Sequence, residues 1–351
     1  MNFQLFKTIC TFIFAIVLTV AQAQDNKLQY KIVSIGFYNL ENLFDTENDS
    51  TINDEEFLPE GARAWTPERY AEKSANMAYV ISQIGINDAP SGLSILGVAE
   101  IENRKVLEDL VAQPSIVNRN YEIIHYDSPD PRGVDVALLY NPKHFTPIQS
   151  RPIQMLQINE QNKRRSRDVL YVKGILETDT LHILVNHWPS RGGGPVTVRL
   201  RNEAARLNRT LIDSITQVVP DAKIIVMGDL NDDPTSESIK SYLRTVSKIG
   251  DVNKTGMFNP FEEKYRRGLG SNAYRDAWSL FDQIIISKGW ADQNQDGYYY
   301  FKANIFNKKF LIQPTGQYKG YPMRTFSGDE YQGGYSDHFP TYIYFIKSIK
   351  E

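Results

Sequence analysis

The sequence predicts an α/β (α+β) fold in which two mixed β-sheets pack face to face with helices on the outside. Apolar runs of strand length recur along the chain, among them residues 93–99 (LSILGVA) and 223–227 (KIIVM). Some runs come in adjacent pairs, such as 169–176 with 180–186, and others stand directly before helical patterns. The pattern is therefore no clean βαβ repeat, and paired strands with covering helices fit a layered sandwich. No linker, internal repeat or low-complexity block divides the chain, so one domain is expected over residues 24–351.

The first residues set apart a leader. Lys7 precedes an apolar run, Ile9 to Val20, and Ala21-Gln22-Ala23 has the small-x-small form of a signal-peptidase site. Residues 1–23 are expected to be a secretory signal, too short in its apolar part to span a bilayer comfortably, and the product to be secreted or periplasmic. The only cysteine, Cys10, lies inside this segment. A chain beginning near Gln24 has none, so its fold must rest on a large core rather than on disulfides. Losing Lys7 takes the formal charge from −3 to −4. That balance does not favour a tight nucleic-acid binder, and no second apolar segment is long enough for stable membrane insertion.

Residues 31–38 (KIVSIGFY) alternate as a strand and end at Asn39-Leu40-Glu41-Asn42. An acidic loop follows. Asp45, Glu47, Asp49, Asn53 and Glu56 fall at positions 1, 3, 5, 9 and 12 of a calcium-loop pattern, but Ser50 stands where the turn needs glycine, so a solvated loop is expected. Thr66-Pro67-Glu68 opens a helix with Thr66 as its cap, and Tyr70, Met77, Ile81 and Ile84 give it an apolar stripe. After the strand at 93–99, which delivers Glu100, a short amphipathic helix covers Arg104 to Gln113. Strands are predicted at 121–126 and 134–140, around a turn holding Asp127, Asp130, Arg132 and Gly133. A basic loop, Lys163 to Arg167, precedes the next strand pair, which ends in Asn186-His187-Trp188-Pro189, Ser190-Arg191 and three glycines. A long helix is expected from Val196 to Val218, with Leu200, Ala204, Leu207, Leu211 and Ile215 facing the core. Beyond the strand at 223–227 come a short helix (235–243), an irregular basic and aromatic stretch (251–278), a strand at 280–286, a turn at 292–297 and a last strand at 341–346.

The stretch KIIVMGDLNDDP (223–234) organises the rest. A buried strand runs into Gly228, where the backbone is expected to turn out of the sheet, and Asp229 and Asn231 follow at its C-terminal edge. Asp229 only accepts hydrogen bonds, whereas Asn231 both donates and accepts, a pairing suited to orienting a water molecule. An ordinary Asn/Asp-rich turn ending at Pro234 would have the same composition. Asn39, Glu100, His187, Asp282, Asp337 and His338 also stand at strand ends or in the turns beside them, and two of the chain's five histidines belong to this set.

The ordered set YNLEN (38–42), GVAEIEN (97–103), GVDVALLY (133–140), VNHWP (185–189), GDLN (228–231), LFDQII (280–285) and YSDHFP (335–340) resembles the endonuclease/exonuclease/phosphatase superfamily over essentially the whole chain beyond the leader. The resemblance implies a four-layer α/β sandwich. It also implies a divalent-metal site, Mg²⁺ or Mn²⁺, with Glu100 as principal ligand, Asn39 and Asp337 beside it and Glu41 as a further acidic neighbour. His187 would contact the scissile phosphate, Asp229 and Asn231 would position the attacking water, and His338 would pair with Asp282. The chain departs from the commonest pattern at Ala99 and Gln283, changes expected to bear on substrate contacts.

A phosphodiester is anionic and resists attack by water, so its hydrolysis needs charge neutralisation, an oriented water and a base. Either His338 or Asp229 could take the proton. Arg132, Arg167, Arg191 and Arg324 lie near motif residues and are candidates for gripping a substrate phosphate, Arg191 foremost, although surface arginines are commonly just solvated. Tyr318, Tyr321, Phe326, Tyr331 and Tyr335 could stack on bases, line a sugar or lipid pocket, or pack into the core. The partner expected is a phosphate ester, DNA or RNA among the candidates, and the chain is expected to be monomeric. A nuclease-type phosphodiesterase leads, a phosphatase of sugar, inositol or phospholipid headgroups is its rival, and a secreted binding protein without turnover is the third alternative.

Overall fold

The computed structural model describes residues 29–158, 163–253, 256–293 and 296–349. The leader assigned to residues 1–23 and Asn294 of the 292–297 turn lie outside them. Residues Ile32–Lys347 gather into one compact unit.

Strand β1 (Gln29–Leu43) outruns its expected span because Leu40 and Leu43 continue its buried pattern. Thr66 caps α1 (Pro67–Gln83), its side chain accepting from the Arg69 N–H. Then come β2 (Leu93–Ile101), α2 (Arg104–Val111), β3 (Glu122–His125), β4 (Asp135–Tyr140) and β5 (Phe145–Ile153). A small hairpin joins β6 (Leu156–Ile158) to β7 (Lys163–Arg165), so the expected basic loop is partly strand. Next are β8 (Val169–Leu176), β9 (Asp179–His187), α3 (Pro195–Val218) and β10 (Lys223–Asp229). The expected short helix shrinks to one wide turn, Ser238–Tyr242. The stretch expected to be irregular holds β11 (Thr245–Val246), β12 (Met257–Phe258), α4 (Glu262–Arg266) and a hairpin of β13 (Asn272–Tyr274) with β14 (Ala277–Ser279). The chain closes with β15 (Asp282–Ser287), β16 (Tyr299–Ile305), β17 (Phe326–Ser327), β18 (Glu330–Tyr331) and β19 (Thr341–Ile349).

A six-stranded sheet runs β16-β19-β1-β2-β4-β3, and a seven-stranded one β11-β12-β15-β10-β9-β8-β5. Both are mixed: β1 pairs parallel with β2, which pairs antiparallel with β4; β9 pairs parallel with β10, which pairs antiparallel with β15. Alternation along each strand supplies two apolar faces. Phe37, Ile95 and Leu138 of the first sheet meet Val185, Met227 and Ile284 of the second in the central core. The outward residues Tyr38, Leu96 and Val98 pack on α1 and α2, and Leu184, Val226 and Ile285 pack on α3. Helix, sheet, sheet, helix: four layers result. At Gly97 the sheets approach so closely that a Cβ would stand 2.5 Å from the Met227 sulfur.

The face of α3 differs from expectation. Leu200 and Ala204 are buried as expected, but Leu207, Leu211 and Ile215 are only partly buried, while Thr197, Arg201, Asn208, Ile212 and Thr216 face inward. Polar residues take core positions there because the strand ends beneath carry polar partners for them, as described below. Among the described residues no helix is long and apolar enough to cross a membrane.

Candidate active site

The strand ends that carry the motif residues open at one rim of the sandwich. Four residues there, Glu41, Asn42, Glu100 and Asn231, hold left-handed backbone at φ 49°, 52°, 59° and 49°. The β1–β2 pairing loses register between Asn39 and Leu43, and β2–β4 between Ala99 and Ile101. Bulges of this kind re-aim side chains, and here they tip Glu100 out of the pleat toward the second sheet. Gly228 does not turn the chain as expected. It sits within β10, where a Cβ would stand 2.1 Å from the Asn186 carbonyl oxygen of β9, and the chain leaves the sheet after Asp229.

Asn39 joins the two sheets. Its amide nitrogen donates to Glu100 Oε1 at 3.0 Å and to Asp229 Oδ2 at 3.1 Å, while its oxygen accepts from the Glu41 N–H. Glu100 Oε2 accepts from the Asn42 N–H, and the carboxylate keeps a side-chain exposure of 19%. Asp229 Oδ1 accepts from the Asn231 N–H, and Oδ2 lies 3.8 Å from His187 Nε2 and 3.9 Å from His338 Nε2. Burial, reinforced by the neighbouring carboxylates Asp282 and Glu100, pushes the Asp229 carboxyl up to about 7. Burial, with the charges of Arg167 and Arg132, holds the His187 ring well below the ordinary histidine range, and therefore neutral. Burial also opposes a charge on His338, but Asp282 and Asp229 outweigh it and keep that ring well above the ordinary range. Its Nδ1 bonds Asp282 Oδ2 at 2.6 Å, and Nε2 meets the Asn272 amide at 3.2 Å.

Eight expected residues thus gather as Asn39, Glu100, His187, Asp229, Asn231, Asp282, Asp337 and His338 around one rim, but their parts differ from expectation in places. Asn39 presents its nitrogen to the two carboxylates and its oxygen to the Glu41 N–H, so both ends of its amide are engaged. Glu41 is buried and spent: Oε1 takes the Arg324 Nε at 3.2 Å, Oε2 the Thr325 N–H at 2.7 Å, and Lys73 Nζ stands 3.6 Å away. Asp337 Oδ2 is held by the other arm of Arg324 at 2.8 Å, apart from the Glu100 group.

The arginines are likewise engaged. Arg191 donates to the Asn231 carbonyl at 3.0 Å and to Asp233 at 2.8 Å, and lies 4.6 Å over the Phe281 ring. It clamps the loop after β10 instead of projecting as a phosphate grip. Arg167 is buried, joining Asp130 at 3.1 Å to the Trp188 carbonyl at 2.7 Å, and Arg132 pairs with Asp130 at 3.4 Å. Gln283 is also structural: fully buried, it donates to the Asp232 and Leu280 carbonyls and accepts from Asn259. Ala99 lies in the central core. Both side chains are fully buried.

Sequence reasoning missed several supports. Ser271 Oγ donates to Asp282 Oδ2 at 2.5 Å, and Asn272 faces His338, both from a stretch with no local signature. Asp232 anchors Arg201 at 2.9 Å and the Ser238 hydroxyl at 2.7 Å. Asn208 of α3 exchanges amide hydrogen bonds with Asn186, whose oxygen also takes the Trp188 indole N–H. That one left a signal, a polar residue four positions from both Ala204 and Ile212 on a buried face.

A divalent cation fits this rim. Glu100, His187 and Asp229 each place a ligand atom within 4.8 Å of the others. Two hard carboxylates, Glu100 partly exposed and Asp229 buried, suit Mg²⁺, and an imidazole beside them also admits Mn²⁺. In the acidic loop at 45–56, Asp45 and Asp49 cap their own loop N–H groups at Glu47 and Thr51.

Fold and rim together define a two-sheet sandwich with an acid–base and metal-donor cluster at its strand ends. The chain belongs to the endonuclease/exonuclease/phosphatase family, whose model matches residues 34–347. Members of that family are phosphoesterase hydrolases, generally metal-dependent. Similar solved structures include an endonuclease/exonuclease/phosphatase family protein from Bacteroides thetaiotaomicron, at 15% identity and TM-score 0.54, covering 93% of this chain and 98% of that one. TDP2 of D. rerio complexed with single-strand DNA product shares 12% identity at TM-score 0.53, over 90% and 99% of the two chains. A mannosyl-6-phosphatase from B. thetaiotaomicron shares 14% at TM-score 0.53, over 91% and 100%. These likenesses show the fold. A search of curated proteins finds no match.

Proposed function

We propose that this protein is a divalent-metal-dependent hydrolase of small phosphoesters, working outside the cytoplasm. The observation that supports it best is the position of Asp229, whose Oδ2 lies within 4 Å of both His187 Nε2 and His338 Nε2 and within 3.1 Å of Asn39. A phosphoryl group entering between the two rings meets a neutral imidazole on one side and a cationic one on the other. Asp229 and Asn231 hold the attacking water, and Asp229 takes its proton as the new P–O bond forms. The ester P–O bond breaks on the opposite side, and the leaving oxygen departs with its electron pair. His338, fixed by Asp282 and Ser271, offsets the charge that develops on the phosphoryl oxygens. A divalent cation at Glu100 would supply Lewis-acid polarisation and neutralise the leaving oxygen.

The four arginines that favoured a nucleic-acid strand are tied to Asp130, Asp232, Asp233, Glu41 and Asp337, which weakens the nuclease-type reading. The leader-like residues 1–23, a lysine before a short apolar run and an Ala-Gln-Ala end, support the extracytoplasmic placement. The test is purified protein with Mg²⁺ or Mn²⁺ against plasmid DNA, RNA, a generic phosphodiester and a panel of phosphomonoesters. Turnover of small esters is expected. Faster turnover of DNA or RNA would restore the nuclease, and no turnover of any of them would overturn the hydrolase.

A further inference from the structure

Beside the catalytic rim lies a cleft of about 660 Å³ that the chemistry above does not use. One wall is the β13–β14 hairpin and the other is the segment 313–332. Asn272 and Tyr274 share a face of β13, since alternate strand residues point the same way. Asn272 meets His338 Nε2, so this strand runs from the catalytic histidine to the cleft mouth, where Tyr274 is 68% exposed. Both turn residues, Arg275 and Asp276, hold positive φ, at 49° and 62°, the conformation of a tight hairpin turn. Asp276 grips Tyr321 of the opposite wall twice: its N–H donates to the phenol oxygen, and its Oδ1 accepts the phenol proton, both at 2.6 Å. The cleft is thereby clasped open rather than collapsed. Tyr318, 45% exposed, lies 5.9 Å from Tyr321.

The lining decides the occupant's chemistry. Its two arginines, Arg275 and Arg324, face three carboxylates, Asp276, Glu330 and Asp337, so the cleft carries no excess positive charge. A strand with a phosphate at every nucleotide would be repelled there. Exposed tyrosine rings, Tyr274 with Arg275 5.2 Å over one face, stand beside carboxylates and the amides of Gln313, Gln317 and Gln332, and suit a neutral body rich in hydroxyls, whose C–H faces stack on rings while its O–H groups find planar polar partners. We infer that this cleft binds the glycosyl body of a sugar phosphate, with the phosphoryl end at His187 and His338. The inference rests on the hydrolase reading above and names its substrate class.

The test uses the full chain and its Tyr274→Ala and Tyr318→Ala variants, both surface changes whose folding an unchanged Tm verifies. Turnover is measured on a hexose 6-phosphate, on ethyl phosphate and on a short oligonucleotide. Binding of the hexose phosphate is followed separately, in EDTA, by fluorescence of Trp278, which lies 6.1 Å from Tyr321. Each variant should raise KM for the hexose phosphate about tenfold with kcat nearly kept, and weaken the EDTA titration by a similar factor. Hexose phosphate no better than ethyl phosphate, or an oligonucleotide preferred and made tyrosine-dependent, would overturn the substrate class. Tyrosine-dependent binding without hydrolysis of any ester would uphold the cleft and overturn the hydrolase instead.

Discussion

Nδ1 of His338 lies 2.6 Å from Oδ2 of Asp282, although 56 positions separate them in the chain. Ser271 donates to the same carboxylate oxygen, so the ring is fixed by a buried pair rather than by its sequence neighbours. Removing the ring should cost roughly 10²-fold or more in kcat, the size of a general acid–base or charge-stabilising contact. Asp282→Asn should cost less alone and add little to His338→Ala, because the two act as a unit. Steady-state phosphate release from the two single variants and the double variant measures this. Near-normal kcat for His338→Ala would remove the pair from the mechanism.

Glu100 stands on a left-handed backbone position with one oxygen held by the Asn42 N–H and the other by Asn39. Glu100→Gln keeps the shape and removes the charge that attracts a divalent cation. The variant is expected to melt as the parent does and to show no calorimetric binding of Mg²⁺ or Mn²⁺, with activity lost as in EDTA. Undiminished metal binding by the variant would move the metal elsewhere on the rim.

Arg191 braces the loop that carries Asn231, through that residue's carbonyl and the carboxylates of Asp232 and Asp233. Its loss should loosen the water-orienting residues more than substrate binding. Arg191→Ala is expected to lower kcat, with KM changed less than kcat, and to lower Tm by a few degrees, as loss of about 1 kcal/mol does in a domain of this size. A raised KM at full kcat would return Arg191 to the substrate.

The sandwich was legible because its central strands are continuous apolar runs, and runs such as 93–99 and 223–227 admit few other readings. Its edges were not. β5 reads FTPIQSRPI, with two prolines and mixed polarity, and β16 reads YYFKANI, half exposed; both are edge strands whose outer side faces no partner strand. The rim residues were legible as a set because strand ends deliver them in order. Their tasks were not, since whether Asn39 presents oxygen or nitrogen, or whether Arg324 is free, depends on Glu41, Asp229 and Asp337, which the fold brings from distant segments. Charge counted along a sequence overstates what is available: an arginine beside a motif reads as a phosphate grip until its carboxylate is found.

His182 gives a test of the second sheet that is independent of catalysis. It lies on β9, five residues before His187, with Nδ1 at 2.8 Å from the Tyr171 hydroxyl and Lys173 opposite it on β8. Burial, and then the charge of Lys173, push the ring down to about 4 from an ordinary value of 6.5. The unfolded chain therefore takes up a proton on this ring that the folded chain refuses between those two values. Linkage fixes the sign: the unfolded state binds more protons in that window, so stability rises with pH across it. The contribution is fully present above about pH 6.5, is lost as pH falls toward about 4, and is flat below. In His182→Gln the side-chain oxygen can still accept from Tyr171 while the titration is gone. Thermal melts from pH 7 to 4 should show a shallower loss of Tm for the variant than for the parent. Parallel curves would place the acid sensitivity in other groups and leave His182 as a packing residue only.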